Sequence, residues 1–139
     1  MISTNVRVRF APSPTGEPHV GNMRTAIFNW LFARHSQGTV ILRVEDTDQA
    51  RIVEGAIDQL LASLRWLGID WDEGLEVGGP YAPYSQSERL NFYNQVIDKL
   101  IESNNGYYCY CSQDRLALMR KEQMSLKQPP GYDRHCRDL

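Results

Sequence analysis

The chain has 139 residues, a length that suits one domain with a real core, since a body this size buries roughly two-thirds of its unfolded surface. Hydrophobic residues make up 42% and charged residues 23%, which excludes a disordered tail. Fifteen Lys and Arg against 17 Asp and Glu leave a net charge of -2, so bulk charge does not make it a basic nucleic-acid clamp, although a local basic face is compatible with it. No apolar run approaches the roughly 18 residues needed to cross a bilayer. The start, from Met1 to Phe10, alternates apolar and polar residues without a signal-peptide core. Cys109, Cys111 and Cys136 cannot all pair within one chain, which fits a reducing cytoplasm and favours metal binding over a disulfide frame.

Val6 to Phe10 has the period of a strand. It runs into 11–18, Ala-Pro-Ser-Pro-Thr-Gly-Glu-Pro, where three prolines fix φ and remove three donors, so the loop is stiff. Gly21 to His35 reads as a helix. Met23, Ile27, Trp30, Leu31 and Arg34 share one side, and Ala26, Phe28, Phe32 and Ala33 widen the apolar surface, predicting burial on more than one face. Gly38 is its expected C-terminal stop. Thr39 to Val44 is a run of strand formers, as expected of a strand covered on both faces. It ends in the acidic cluster Glu45, Asp46 and Asp48. A second helix follows from Val53 to Leu67, with Gly68 at its end. Strand, helix, strand, helix predicts a βαβ unit with a parallel sheet.

Residues 69–84, rich in Gly and Pro, read as a long surface loop. Ser85 and Glu88 have the spacing of a capping box that opens a third helix, with Leu90, Tyr93, Ile97, Leu100 and Ile101 on its inner face. Tyr107 to Cys111 is a short strand or turn, and Ser112 caps a polar helix reaching about Met124. The fold class is therefore α/β, with a sheet of two or three strands, the size of one part of a larger catalytic domain.

The chemistry concentrates in the turn out of the first strand. It lies between a parallel strand and a helix N-terminus, where free N–H groups and the helix dipole attract phosphate, and ligands of open α/β sheets gather at the carboxyl ends of strands. Gly21 leaves room for a base or ribose to approach the backbone. His19 is a candidate hydrogen-bond donor to a phosphate oxygen in a transition state; its plainer role is a capping histidine. The loop is neither a Walker A sequence nor a Gly-x-Gly-x-x-Gly fingerprint.

Phe-Ala-Pro-Ser-Pro-Thr-Gly at 10–16, Pro-His-Val-Gly at 18–21 and Arg-Val-Glu-Asp-Thr-Asp at 43–48 resemble bacterial glutamyl-tRNA synthetases, which are class I enzymes. The resemblance continues in order through 66–74, 84–89 and 108–111 and so covers nearly the whole chain. It implies the first half of a Rossmann-like class I catalytic domain, with 1–111 belonging to the nucleotide-binding body and 112–139 opening an inserted, acceptor-binding-like segment. The implied activity is that of a glutamate–tRNA ligase: ATP and L-glutamate, with Mg²⁺, give glutamyl-adenylate and pyrophosphate, and the glutamyl group passes to the terminal ribose of tRNA(Glu). By the same resemblance Arg9 pairs with a substrate carboxylate, Glu45 holds the α-ammonium, and Ala11 and Ser13 add contacts. Pro12, Thr15, Gly16, His19 and Gly21 serve ATP. The chain departs from the family at Asn22, where the signature carries a second histidine; asparagine still donates a hydrogen bond but carries no charge. The plainer roles are a surface arginine for Arg9 and a turn or helix-cap carboxylate for Glu45, Asp46 and Asp48. The second signature, Lys-Met-Ser-Lys-Ser, is absent, and Met-Ser-Leu-Lys at 124–127 is only an echo of it.

Cys-x-Cys at 109–111 followed by Cys136 has the look of a zinc site. Some family members end it in Cys-x-His, where this chain has Asp138. Asp138, His135 or Tyr132 is left as the fourth ligand, and the changed position favours a chain without zinc. The resemblance further implies a cytoplasmic monomer with no membrane partner. Two rivals remain open, a tRNA-modifying paralogue that attaches glutamate to a modified base and a nucleotide-binding fragment without turnover.

Overall fold

The computed structural model describes residues 6–139; Met1 to Asn5, the opening of the alternating start, lie outside them. Two compact units part between Asn91 and Phe92. Among the described residues no helix is long and apolar enough to cross a membrane.

The first unit is built on three parallel strands in the order β1-β2-β3, with β1 at Arg7–Phe10, β2 at Thr39–Leu42 and β3 at Glu73–Gly74. Arg7 stands opposite Thr39 and Phe10 opposite Leu42, while Ile41 and Leu42 face Glu73 and Gly74. This register puts Phe10, Val40 and Leu42 on one side of the sheet, where all three are buried. Helix α1 (Val20–His35) and helix α2 (Ala56–Trp66) cover that side. Their Ala26, Leu60, Leu61 and Leu64 join Phe10, Leu42 and Ile69 in one core.

Several expectations change at this level. α1 is buried on one face only: Ala26 and Ala33 let it approach the sheet closely, whereas Phe28, Leu31 and Phe32 are exposed. β2 is likewise buried on one face, because Ile41 and Arg43 on the other are only half-buried. The second helix begins at Ala56 instead of Val53, because Gly55 before it is left-handed, with φ 76°, and helical backbone does not run through such a residue. At the end of α1 the left-handed residue is Gln37, with φ 52°, and Gly38 follows it. Gly38 is needed for a different reason: a Cβ there would stand 2.5 Å from the Val6 carbonyl oxygen.

The stretch 69–84 is not a surface loop throughout. It contributes β3 and buries Ile69, Glu73 and Tyr84. Glu73 is tolerated there because Arg7 donates to both its oxygens, at 2.6 and 2.8 Å, and the Tyr84 hydroxyl donates at 2.8 Å. The Arg7 guanidinium holds Glu73 below the usual carboxylate range against the cost of burial, and burial pushes the Tyr84 hydroxyl up. Arg34 on α1 does the same for the turn before β3, reaching Asp70 at 3.0 Å and Asp72 at 2.8 Å, while Trp30 donates to Asp70 at 2.6 Å. Both aspartates sit below their ordinary value, Asp70 chiefly through Trp30 and Asp72 through Arg34 and the Val40 N–H against the cost of burial. The expected capping box at Ser85 does not form. A short 3₁₀ turn at Gln86–Arg89 precedes helix α3 (Leu90–Glu102), and Asp46 caps it, accepting from the Ser87 N–H at 2.8 Å and the Ser87 hydroxyl at 2.5 Å.

No side chain of α3 is buried, so its expected inner face, with Leu90, Ile97 and Leu100 exposed and Tyr93 and Ile101 half-buried, stays largely open among the described residues. In the second unit Tyr107 to Cys111 is irregular chain with no strand. Helix α4 (Gln113–Ser125) starts where expected, the Ser112 hydroxyl accepting from the Arg115 N–H at 3.2 Å.

α1 opens with a reciprocal cap. His19 Nδ1 accepts from the Gly21 N–H at 3.1 Å, and Asn22 Oδ1 accepts from the His19 N–H at 3.3 Å. A Cβ at Gly21 would stand 3.0 Å from both Cε1 and Nδ1 of the His19 ring. Gly21→Ala is therefore expected to push the exposed imidazole off the helix end and to cost about 1 kcal/mol, the worth of an ordinary N-cap, read as a lower urea midpoint with an unchanged slope. Glu73, Asp70 and Asp72 all have depressed folded-state pKa values, so the stability they contribute is present above the unfolded carboxylate pKa of about 4 and is lost as pH falls through the folded values. Urea midpoints between pH 7 and pH 3 are expected to drop on the acid side, and Glu73→Gln to make that acid limb shallower. An equally steep limb in the variant assigns the effect to other carboxylates.

Candidate active site and thiol cluster

The stiff loop between β1 and α1 is held by its carbonyls, as a proline-rich segment must be. Beyond the strands the parallel ladder continues: Arg43 N–H donates to Phe10, Glu45 N–H to Pro12 at 2.8 Å and Val53 N–H to Pro14 at 2.9 Å. Pro12 and Pro14 are buried, and between and beyond them Ser13, Thr15, Glu17 and His19 are exposed. The alternation turns every second side chain of the loop outward.

Behind the loop lies a cavity of about 470 Å³, walled by Arg9 and Phe10 from β1, the whole loop Ala11–His19, Asn22 and Thr25 from α1, Arg51, and Ala56 and Leu60 from α2. Of the residues singled out in the sequence, Arg9, Ala11, Pro12, Ser13, Thr15, Gly16, His19 and Asn22 meet in this one wall. Gly21 and Glu45 do not line it. Gly21 sits beside the His19 ring at the start of α1, and Glu45 lies across from Arg9, with Oε1 3.9 Å from its Nη2. The capping role of His19 is realised through Nδ1, which leaves Nε2 without a hydrogen bond among the described residues. Two arginines against one wall carboxylate, Glu17, suit the cavity to anionic groups.

Two neighbours of the site went unread in the sequence. Arg43 stands 3.6 Å from the same Glu45 oxygen, so this carboxylate lies between two guanidinium groups. Arg51 enters the wall from the turn at Gln49–Arg51 and pairs with Asp48 at 3.4 Å. The strand period offered a signal for Arg43, since it lies two residues from Glu45 and shares its face. Nothing in the local pattern marked Arg51. Asp46 and Asp48 serve turns, as their plainer reading had it, although Asp46 caps a turn 41 residues away.

In the second unit the sulfur atoms of Cys109, Cys111 and Cys136 lie within 4.8 Å of one another, and those of Cys111 and Cys136 are 3.5 Å apart. A tetrahedral thiolate site with metal–sulfur bonds of about 2.3 Å spaces its sulfurs about 3.8 Å apart, so the cluster needs little adjustment to hold an ion. The residue that closes the cluster is Tyr132. Its hydroxyl is 3.2 Å from Cys109 Sγ and 3.5 Å from Cys111 Sγ, and accepts from the Cys136 N–H at 3.1 Å. His135 and Asp138 fall outside the cluster, so of the three fourth-ligand candidates the fold brings up Tyr132. The Tyr132 hydroxyl and the Tyr110 N–H draw the Cys136 thiol down to about 7, and the thiols, Cys109 first, push the Tyr132 hydroxyl up.

Residues 5–139 match the family described as "tRNA synthetases class I (E and Q), catalytic domain". The chain is 60% identical over 138 residues to a glutamate–tRNA ligase of Dehalococcoides mccartyi, a match covering 99% of the chain and 28% of that protein. It is 60% identical over 134 residues to the Streptomyces coelicolor glutamate–tRNA ligase, covering 96% and 27%. A crystal structure of a glutamate tRNA ligase from Elizabethkingia meningosepticum in complex with its amino acid superposes with a TM-score of 0.82 at 42% identity, over 91% of the chain and 25% of that structure. The glutamate-tRNA synthetase of Elizabethkingia anophelis gives 0.84 at 41% identity, over 92% and 26%. The chain thus spans about a quarter of the length of the relatives it matches. With the parallel sheet, the flanking helices and the loop-bounded cavity, these matches identify it as a member of the class I tRNA synthetases of the E and Q type, within their catalytic domain.

Proposed function

We propose that this chain forms the part of a glutamate–tRNA ligase that binds L-glutamate and ATP for adenylate formation, in a protein that then loads tRNA(Glu). The observation that carries the reading is the cavity that gathers Arg9, Ser13 and His19 against the N-terminus of α1, with Glu45 3.9 Å from Arg9. Glutamate brings two carboxylates and one ammonium. Arg9 takes a carboxylate, a task suited to a planar and permanently charged fork, Glu45 takes the α-ammonium, and Ala11 and Ser13 line the pocket between them. ATP lies along Pro12, Thr15, Gly16, His19 and Gly21, its phosphates toward the positive end of the α1 dipole. The α-carboxylate attacks the α-phosphate and pyrophosphate leaves, so no nucleophile from the protein is needed. The work of the chain is positioning and charge stabilisation, with His19 and Asn22 donating toward the phosphates.

Mg²⁺ accompanies the ATP phosphates. The neighbouring carboxylates are engaged elsewhere, Asp46 on Ser87, Asp48 on Arg51 and Glu45 between two arginines, and are not assigned as its ligands. Residues 1–111 belong to the nucleotide-binding body and 112–139 open an inserted segment that faces the tRNA acceptor end. The protein works as a cytoplasmic monomer, in a compartment that keeps its three cysteines reduced.

The thiol cluster is assigned a structural zinc ion. The sequence favoured none because Asp138 stands where a better ligand was expected; the Tyr132 hydroxyl, 3.2 Å from Cys109 Sγ and 3.5 Å from Cys111 Sγ, offers an oxygen as fourth donor, so the site is not left with three ligands. Bound there, zinc fastens the Cys109–Cys111 turn to the Tyr132–Cys136 segment.

Glutamate- and ATP-dependent pyrophosphate exchange by the gene product carrying this chain tests the reading. Arg9→Lys keeps the charge and loses the fork, and is expected to raise the KM for glutamate about tenfold or more with little change in the KM for ATP. Equal increases for both substrates count against the assignment of Arg9. Protein purified without a histidine tag or added zinc is expected to carry close to one zinc per chain, absent in Cys111→Ser. A metal-free protein whose three thiols all label rapidly would overturn the zinc assignment.

A further inference from the structure

The second unit contains a cation that none of these roles uses. Arg115, in the first turn of α4, directs Nη1 at Cys111 Sγ, 3.3 Å away. It does not reach the sulfur as a free surface side chain. Asp133 accepts from Nη2 at 2.6 Å and from Nη1 at 3.4 Å, a two-pronged contact that fixes the plane of the guanidinium. Asp133 is fixed in turn, since its Oδ1 also accepts from the His135 N–H at 3.2 Å. The backbone N–H of Arg115 is anchored on the Ser112 hydroxyl. The chain of contacts runs from a helix cap through a carboxylate to a sulfur, and each link is specified in direction.

The chemistry of the donor set gives this cation a task. Three thiolates and a phenolic oxygen around a divalent ion leave the assembly with excess negative charge. Metal sites commonly meet such excess with hydrogen-bond donors aimed at the ligand atoms from outside. Cys111 is the half-buried member of the cluster, so water alone serves it poorly. Arginine suits the position better than lysine, because one face of its fork can hold Asp133 while the other N–H points at sulfur.

We propose that Arg115, oriented by Asp133, is the outer hydrogen-bond partner that sets the metal affinity of the Cys109, Cys111, Cys136 and Tyr132 site. This rests on the zinc assignment made above. Arg115 is a positioning residue of the site, and the Arg115–Asp133 pair joins Gln123, which exchanges two hydrogen bonds with Gly131, in tying the 127–139 segment to α4.

The test is zinc affinity of the chain, measured by competition with a chromophoric chelator at fixed pH, with the cobalt(II) spectrum as a second readout. The wild-type chain is titrated first; if it binds no zinc, the metal assignment fails and this proposal falls with it. If it binds, Arg115→Gln is expected to weaken zinc about 10- to 100-fold, the usual effect of losing an outer partner. Arg115→Lys is expected to recover part of that loss. The tetrahedral cobalt(II) bands should keep their shape in Arg115→Gln, because the four ligands are unchanged. Asp133→Asn, which keeps the arginine and removes its anchor, is expected to give a smaller loss, and it stands in for Arg115→Gln if that variant does not fold. Affinity within twofold of wild type in both Arg115→Gln and Asp133→Asn, with zinc still bound by the wild type, overturns the role of Arg115 and leaves the zinc site standing.

Discussion

A segment with three prolines in eight residues has carbonyls to offer and few N–H groups, and the active-site region is organised around that imbalance. The Phe10, Pro12 and Pro14 carbonyls accept from Arg43, Glu45 and Val53, so the parallel pairing of β1 with β2 continues past the last residue of either strand. The continuation fixes which way the loop side chains turn. It also stations Glu45 across from Arg9 and ties Val53, just ahead of α2, to the loop. Without those acceptor contacts the loop would still be stiff, but nothing would set its distance from the end of β2. Rigidity and placement come from different atoms of the same residues: the rings supply the first and the carbonyls the second.

The two sides of the sheet divide the labour. Phe10, Val40 and Leu42 are buried on the helix side, and Phe10 and Leu42 form a core with Leu60, Leu61 and Leu64. The other side carries arginines, and each is matched to an acid brought from elsewhere in the chain: Arg7 to Glu73, and Arg9 and Arg43 to Glu45. The contacts are unequal. Arg7 grips Glu73 with two short hydrogen bonds and serves the fold, whereas Glu45 is held at 3.6 and 3.9 Å, too long for a hydrogen bond. Under the proposed function, a loosely held carboxylate beside an arginine leaves both charges able to turn to a zwitterionic substrate at little cost.

The second unit solves a different problem. Its helix α4 and the Pro-rich end of the chain bury little apolar surface, and Cys136 is its one fully buried side chain among the described residues. A unit with so little core depends on directed contacts, and they converge on Tyr132 and Arg115. The ion proposed at the thiols would add the crosslink that hydrophobic burial does not provide.

Much of this was legible in the residues. The strand period at 7–10, the apolar spacing of 56–66, the serine before α4 and the proline loop between strand and helix are local signals, and local physics decides them. The ordered motif blocks identified the family, because six of them in sequence specify a backbone that no single one does. Glu73 was missed because a carboxylate among glycines reads as solvated until Arg7, 66 residues away, is brought beside it. Asp46 capping Ser87, Tyr132 meeting the thiols and Arg115 reaching Cys111 were hidden for the same reason. The sequence by itself determined β1, β2, the four helices, the loop and the chemistry on offer, since propensity, turn residues and motif spacing act over a few neighbours, whereas β3 needed its partner strand to be recognised. Only the tertiary structure decided which charges are partners and which oxygen joins the sulfurs, because those pairings depend on distances that chain separation does not encode.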